Sequence, residues 1–169
     1  MDASRPEQAQ RNLIQRVNVG DSLTRSAAAR PGQRAVRDGA RSWTYAELNA
    51  WVNRLAHGLS ALGYRRGDAL GIASGNSAEF LACYYACAKT GVVAVPVNLG
   101  WRADEVAYVL GHSGARGLAV ETQLVAAMTE AIGKVPAVTD VVVLPGARGL
   151  RGGARRTPLA HRRGAHRQR

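Results

Sequence analysis

Apolar and polar positions follow two periods along this chain. From Thr44 onward, Leu48, Val52, Leu55, Leu59 and Leu62 recur at spacings of 4, 3, 4 and 3, which lines them up on one stripe of a helix. Thr44-Tyr45-Ala46-Glu47 has the form of a capping box, with the threonine hydroxyl accepting from the amide three residues on and the glutamate reaching back. Gly63 supplies the left-handed residue that closes such a helix. After Gly67-Asp68 the run from Ala69 to Ala73 is apolar without interruption, the pattern of a strand covered on both faces in a parallel sheet. Ser74 to Ser77 lead into a helix predicted over Ala78 to Lys89, with Phe80, Tyr84 and Cys87 on one face and Thr90-Gly91 ending it. Val92 to Val95 reads as a second buried strand, closed by Pro96.

Strand, helix and strand joined by short connections make a βαβ crossover, which builds a parallel sheet. The pattern then repeats: a helix over Ala103 to Leu110 with Glu105 in its first turn, a strand over Arg116 to Val120, a helix over Thr122 to Ile132 and a strand over Val138 to Leu144. Toward the N-terminus, Asp21 is placed to cap a short helix carrying Leu23 and Ala27 to Ala29, stopped by Pro31-Gly32. Gln33 to Arg37 and Arg41 to Trp43 flank Asp38-Gly39-Ala40, a hairpin signal. The expected fold is α/β: a partial parallel sheet with flanking helices, a small N-terminal β-hairpin and an irregular C-terminal tail. Residues 1–20 form a polar leader, 21–145 the folded body, and 146–169 an arginine- and glycine-rich tail expected to be disordered and unable to extend the sheet.

Composition supports a folded body, with 46% hydrophobic residues in 169. The net charge of +11 suggests an anionic partner at first. Eight arginines and no acid lie in 146–169, however, leaving only +3 for everything else. Three readings of that segment stand: a nucleic-acid-binding arm, a patch for a phospholipid surface, or, the one favoured, a shifted reading frame in an alanine- and arginine-rich gene. The concentration of charge in the tail argues against the body as a nucleic-acid binder. No apolar run approaches the ~18 residues of a membrane span, and the start MDASRPEQAQRN has no apolar signal region, so a cytoplasmic protein is expected. Cys83 and Cys87, the only cysteines, read as small buried residues in a reducing compartment rather than a metal or redox pair.

Six stretches follow one another along the chain: Trp43-Thr44-Tyr45-Ala46-Glu47-Leu48-Asn49; Leu59-Ser60-Ala61-Leu62-Gly63; Arg66-Gly67-Asp68-Ala69-Leu70-Gly71-Ile72; Asn76-Ser77-Ala78-Glu79-Phe80; Ala88-Lys89-Thr90-Gly91 through Pro96-Val97-Asn98; and Leu110-Gly111-His112-Ser113-Gly114-Ala115-Arg116. Together they resemble the N-terminal region of the AMP-forming acyl-CoA synthetase and ligase superfamily, in its fatty-acid-CoA ligase-like branch, over about Asp21 to Leu144. The resemblance makes 21–145 a truncated AMP-binding N-terminal subdomain. It implies a two-step reaction in which a small-molecule carboxylate attacks ATP to give an acyl-adenylate and coenzyme A then displaces AMP, with Mg²⁺ as the metal.

The family's chemistry needs a Gly/Ser/Thr-rich loop ending in lysine to cradle the triphosphate. Lys89 and Lys134 are the only lysines, and neither follows such a loop. The family's aromatic-Gly-x-Thr-Glu motif, ribose-binding aspartate and catalytic lysine are absent from the sequence as well. No catalytic, cofactor-binding or metal-binding residue is therefore assigned, no ATP, Mg²⁺ or coenzyme A is expected to be held by this stretch, and the chain is expected to be inactive alone. The alternative is a non-catalytic binding or regulatory module, or half of a split enzyme that pairs with a separately encoded remainder, with a basic tail for an anionic partner.

The remaining polar residues read structurally. Asn76 and Glu79 cap and charge a helix start, Pro96, Asn98 and Trp101 make a turn with an aromatic cover, and His112 favours a helix end. Tyr84 and Tyr85 read as core and half-exposed positions. An incomplete sheet is expected to leave an apolar edge that lowers solubility or calls for a partner.

Overall fold

The computed structural model describes residues 18–145 and the backbone of residues 155 and 156. Most of the leader and of the 146–169 tail thus lies outside the described residues. The chain divides into two compact units, residues 1–68 with 75–94, and residues 69–74 with 95–169.

The first unit opens with α1 (Val19–Ala29). Its cap is Asn18 rather than the expected Asp21: the Asn18 side-chain oxygen accepts from Gly20 N at 2.8 Å, while its amide donates to the Ala88 carbonyl at 2.7 Å. Asn18 thus serves a helix end and a distant carbonyl at once, and Asp21 sits in the first turn, where its charge suits the helix dipole. The hairpin follows as β1 (Arg34–Asp38) and antiparallel β2 (Arg41–Thr44). Gly39, at φ 59°, is the first of the two loop residues, and Ala40 keeps a negative φ. That is the pattern of a II′ turn, which only glycine adopts cheaply at its first position.

Helix α2 (Tyr45–Ala61) begins with the expected capping box. Glu47 N donates to the Thr44 hydroxyl at 3.2 Å, and Thr44 N donates to the Glu47 carboxylate at 2.8 Å. Leu48, Val52 and Leu59 of the stripe are buried. Helix α3 (Ala78–Thr90) is capped by Ser77, whose hydroxyl accepts from Phe80 N at 3.1 Å, and ends at Gly91 with φ 76°. Its buried face differs from the expected one. Ala78, Glu79, Ala82, Cys83, Ala86 and Cys87 face inward, whereas Tyr84 is exposed and Phe80 half-buried. Small residues on that face let helices approach closely: a Cβ added to Gly20 of α1 would lie 2.8 Å from the backbone nitrogen of Lys89.

The second unit is built on β3 (Ala69–Ala73), whose five residues are all buried as expected. The other strands are β4 (Val93–Pro96), β5 (Ala115–Glu121), β6 (Asp140–Leu144) and β7 (Arg155–Arg156). Their order in the sheet is β4-β3-β5-β6-β7, with β3, β5 and β6 paired in parallel. Helix α4 (Ala103–His112) connects β4 to β5, and a short 3₁₀ turn (Thr122–Leu124) plus α5 (Val125–Gly133) connects β5 to β6. The core gathers Val106 and Leu110 of α4, Leu118 and Val120 of β5, and Met128 and Ile132 of α5.

Two expectations are corrected here. Strand β4 is not buried: it lies at the end of the sheet order, and Val93 is 51% exposed. An unbroken apolar run reads the same on an edge as in the middle. The tail, expected to leave the sheet alone, contributes β7, whose backbone pairs antiparallel with Val142 and Val143 of β6. Backbone pairing needs no apolar periodicity.

Candidate functional site at the sheet switch point

The strand order gives the second unit a distinctive place. The chain runs from β3 to β4 on one side, and α4 then carries it back past β3 to β5 on the other. The crevice outside the carboxyl ends of the strands, where the winding reverses, is where open α/β sheets bind ligands. That point lies between β3 and β5.

Ser74 follows β3 there and Glu121 ends β5, and both are buried, Glu121 at 4% exposure. The Ser74 hydroxyl donates to one carboxylate oxygen of Glu121, and the Gln123 side-chain amide donates to the other. Beside them the Thr122 hydroxyl donates to the Leu144 carbonyl at 3.1 Å, joining the ends of β5 and β6. The cluster closes the switch point with its own hydrogen bonds. None of these residues was singled out from the sequence. The only available signal was a polar residue directly after each apolar strand, in Ala73-Ser74 and Val120-Glu121.

In the first unit the polar centre is Arg41. Its guanidinium grips Glu79 with two bonds, Nη1 to Oε1 at 2.6 Å and Nη2 to Oε2 at 3.1 Å, and also donates to Asp38. Glu79 is fully buried, and the bond to its carboxylate holds the Arg41 guanidinium above its already high ordinary value. Arg41 also lies 5.1 Å over the Trp43 ring. Glu79 stands in the first turn of α3, as expected of a helix-start charge, and its buried ion pair with Arg41 also ties the hairpin to that helix. The α3 start is served by Ser77 and by Asp38, which accepts from Ala78 N at 3.2 Å. Asn76 is exposed.

Both lysines are committed. Lys89 donates to the Thr24 hydroxyl at 2.9 Å and to the side-chain oxygens of Asn49 at 2.6 Å and Asn53 at 2.7 Å. Three neutral acceptors match its three protons, and burial lowers its pKa. Lys134 bonds Asp104 at 2.6 Å and Glu130 at 2.8 Å, which raises its own pKa and lowers that of Asp104. Cys83 and Cys87 are free and buried, as read from the sequence. The hydrogen bond shared with Cys87, together with burial, pushes the Cys83 thiol well up.

The turn after β4 is held by Asn98, whose side chain accepts from Gly100 N at 2.9 Å. Trp101 then borders a shallow groove of about 400 Å³ with Asp104, Glu105, Tyr108 and Val109. His112 is the last residue of α4 and stacks on Tyr108 with ring centroids 5.6 Å apart.

Among the described residues no group of three or more His, Cys, Asp or Glu could hold a metal ion. Both lysines are engaged by other side chains.

The sequence model for the AMP-binding enzyme family matches residues 23–161. The chain belongs to the AMP-binding enzyme family. The matched span reaches into the arginine-rich segment beyond Leu144. Among the family's curated members, the chain is similar to long-chain-fatty-acid-CoA ligase FadD13 of Mycobacterium tuberculosis, 39% identical over 101 residues, 59% of this chain and 20% of the relative. It is also similar to 3-hydroxybenzoate-CoA ligase of Aromatoleum sp., 34% identical over 125 residues, 74% of this chain and 23% of the relative.

Solved members show the same architecture. The N-terminal domain of FACL13 from Mycobacterium tuberculosis gives a TM-score of 0.70 at 33% identity, covering 75% of this chain and 33% of that one. Coronafacic acid ligase from Pectobacterium brasiliense gives 0.72 at 26% identity, covering 76% and 26%. The chain spans about a fifth of the length of these curated relatives. Among the described residues no helix is long and apolar enough to cross a membrane.

Proposed function

We propose that this chain is the first α/β portion of a ligase that joins a carboxylate, of the fatty-acid or aromatic class, to coenzyme A through an acyl-adenylate. The family match over residues 23–161 carries this reading, and relatives named for fatty-acid and hydroxybenzoate CoA ligation support it. The 169 residues provide scaffold and no adenylating chemistry. Lys89 and Lys134 are held by other side chains, so ATP, Mg²⁺ and coenzyme A are handled by residues this sequence does not contain.

ATP-pyrophosphate exchange with a panel of carboxylates tests the reading. No exchange is expected from the chain alone, and exchange is expected once a downstream portion of a family member is supplied. Exchange by the chain alone would overturn the scaffold role.

A second reading keeps the fold and makes the chain a binding module for an anionic partner. The eight arginines of 146–169 favour it. Retention on an anionic polymer that weakens steeply with salt and vanishes on deleting 146–169 is its expected signature.

A further inference from the structure

Lys89 sits in a different setting from Lys134, the other lysine of the sequence. Lys134 is exposed and bonded to two carboxylates, Asp104 and Glu130. Lys89 is half-buried, and its three bonded partners, Thr24 of α1 and Asn49 and Asn53 of α2, are all neutral. Burial disfavours its charged form and outweighs the attraction of Asp21, an acid that acts on it through space. The free amine, which is the nucleophilic form of a lysine, is therefore easier to reach at Lys89 than at Lys134.

The three bonds differ in exposure. Those to Asn49 and Asn53, at 2.6 and 2.7 Å, are partly buried, whereas the one to the Thr24 hydroxyl, at 2.9 Å, lies in the open. When Nζ gives up one proton, its two remaining N–H groups satisfy the asparagine oxygens, and the lone pair falls on the Thr24 side, toward solvent. The Thr24 hydroxyl can turn away or donate, because its hydrogen rotates freely. Attack of that lone pair on a carbonyl carbon puts positive charge on the nitrogen. The two amide oxygens, already in place, stabilise this charge without reorganising.

We propose that Lys89 is an acyl-acceptor site, at which Nζ takes an acyl group from an acyl-phosphoryl anhydride and becomes a stable amide. Nζ first loses one proton to water, and its lone pair then forms the new N–C bond. The C–O bond to the phosphoryl group breaks, the phosphate leaves with that electron pair, and a second proton passes from the nitrogen to water. Donors of this class are acyl phosphates and acyl-adenylates. Lys89 needs no ligase activity for this step, since the donor arrives ready-made, so the site goes beyond the ligation proposed above.

The test exposes the full chain to acetyl phosphate in one arm and to acetyl-adenylate in another, and compares labelling at Lys89 and Lys134 by peptide mass spectrometry. In the chain unfolded in guanidinium chloride the two lysines are expected to react alike. In the folded chain Lys89 is expected to gain on Lys134 by about threefold or more, since the free-base fraction near neutral pH scales roughly tenfold per unit of pKa. Asn53→Asp and, as a second variant, Asn49→Asp each set a carboxylate against the ammonium and are expected to return the ratio to its unfolded value. Labelling by acetyl-adenylate alone would narrow the donor to adenylates, and labelling in both arms would extend it to the whole anhydride class; either result supports the site. A folded ratio no higher than the unfolded one would overturn the proposal. So would a ratio that both Asp variants leave unchanged, because the neutral partners would then not set the reactivity.

Discussion

Lys89 Nζ stands 2.7 Å from the side-chain oxygen of Asn53, and with Asn49 and Thr24 it is held by three neutral oxygens from two other helices. One ammonium therefore joins α1, α2 and α3 with no carboxylate among its bonded partners. Lys89→Met keeps the stem and removes all three bonds. Because the site is partly open and water can replace the lost donor, the expected loss is about 1–2 kcal/mol in urea unfolding. No loss would show that the three contacts do not stabilise the fold.

Arg41 and Glu79 make a stronger case, since Glu79 is fully buried. Arg41→Ala leaves an uncompensated buried carboxylate and is expected to cost about 3–5 kcal/mol. Arg41→Met combined with Glu79→Leu removes both charges and is expected to recover most of that loss. A double variant as unstable as the single one would locate the cost in packing rather than in the orphaned charge.

Two glycines should respond with opposite signs. At Gly20 a methyl group would meet backbone atoms of Lys89 at 2.8 and 2.9 Å, so Gly20→Ala is expected to destabilise by about 1–3 kcal/mol through overpacking. At Gly58, inside α2, the added atom meets nothing within 4 Å. Gly58→Ala is expected to stabilise by about 0.5–1 kcal/mol through helix propensity. Thermal melts of the pair check both signs.

The exposed pair of Asp104 and Lys134 gives a pH prediction. The bond from Lys134 holds the Asp104 carboxyl below its ordinary 3.8. A carboxylate depressed on folding contributes stability in full above that ordinary value and loses it as pH falls through the lower folded value. Lys134→Ala is expected to move the Asp104 midpoint up toward its ordinary value in an NMR titration. An unmoved midpoint would remove Lys134 as the cause.

What could be read from the sequence was what neighbours along the chain decide. The Thr44 and Glu47 capping box, the α2 stripe and the hairpin around Gly39 depend on residues a few positions apart, and all three form as expected. Asn18 rather than Asp21 caps α1, and its amide also serves the Ala88 carbonyl, 70 residues away, a contact that no local pattern shows. Glu79 charges a helix start as its neighbours indicate, but its ion pair with Arg41, 38 positions earlier, lies outside any local pattern. The bond between Ser74 and Glu121 exists only because the strand order puts β3 beside β5. No local pattern carries that order, and the same blindness made β4 read as buried.

The reversal of winding at β3 also has a consequence in time. On the ribosome β3 meets β4 soon after it is made, but its other edge is filled only when residues 115–121 emerge. At about 5–20 residues per second the wait between Ala73 and Glu121 is roughly 2–10 s. Throughout it the most buried strand of the sheet offers unpaired backbone to any passing nascent chain. Nascent chains arrested before β5 are therefore expected to be cut by protease within β3 and bound by chaperones, and those arrested well after β5 to resist. Equal protection in both would mean that something other than β5 shields that edge during synthesis.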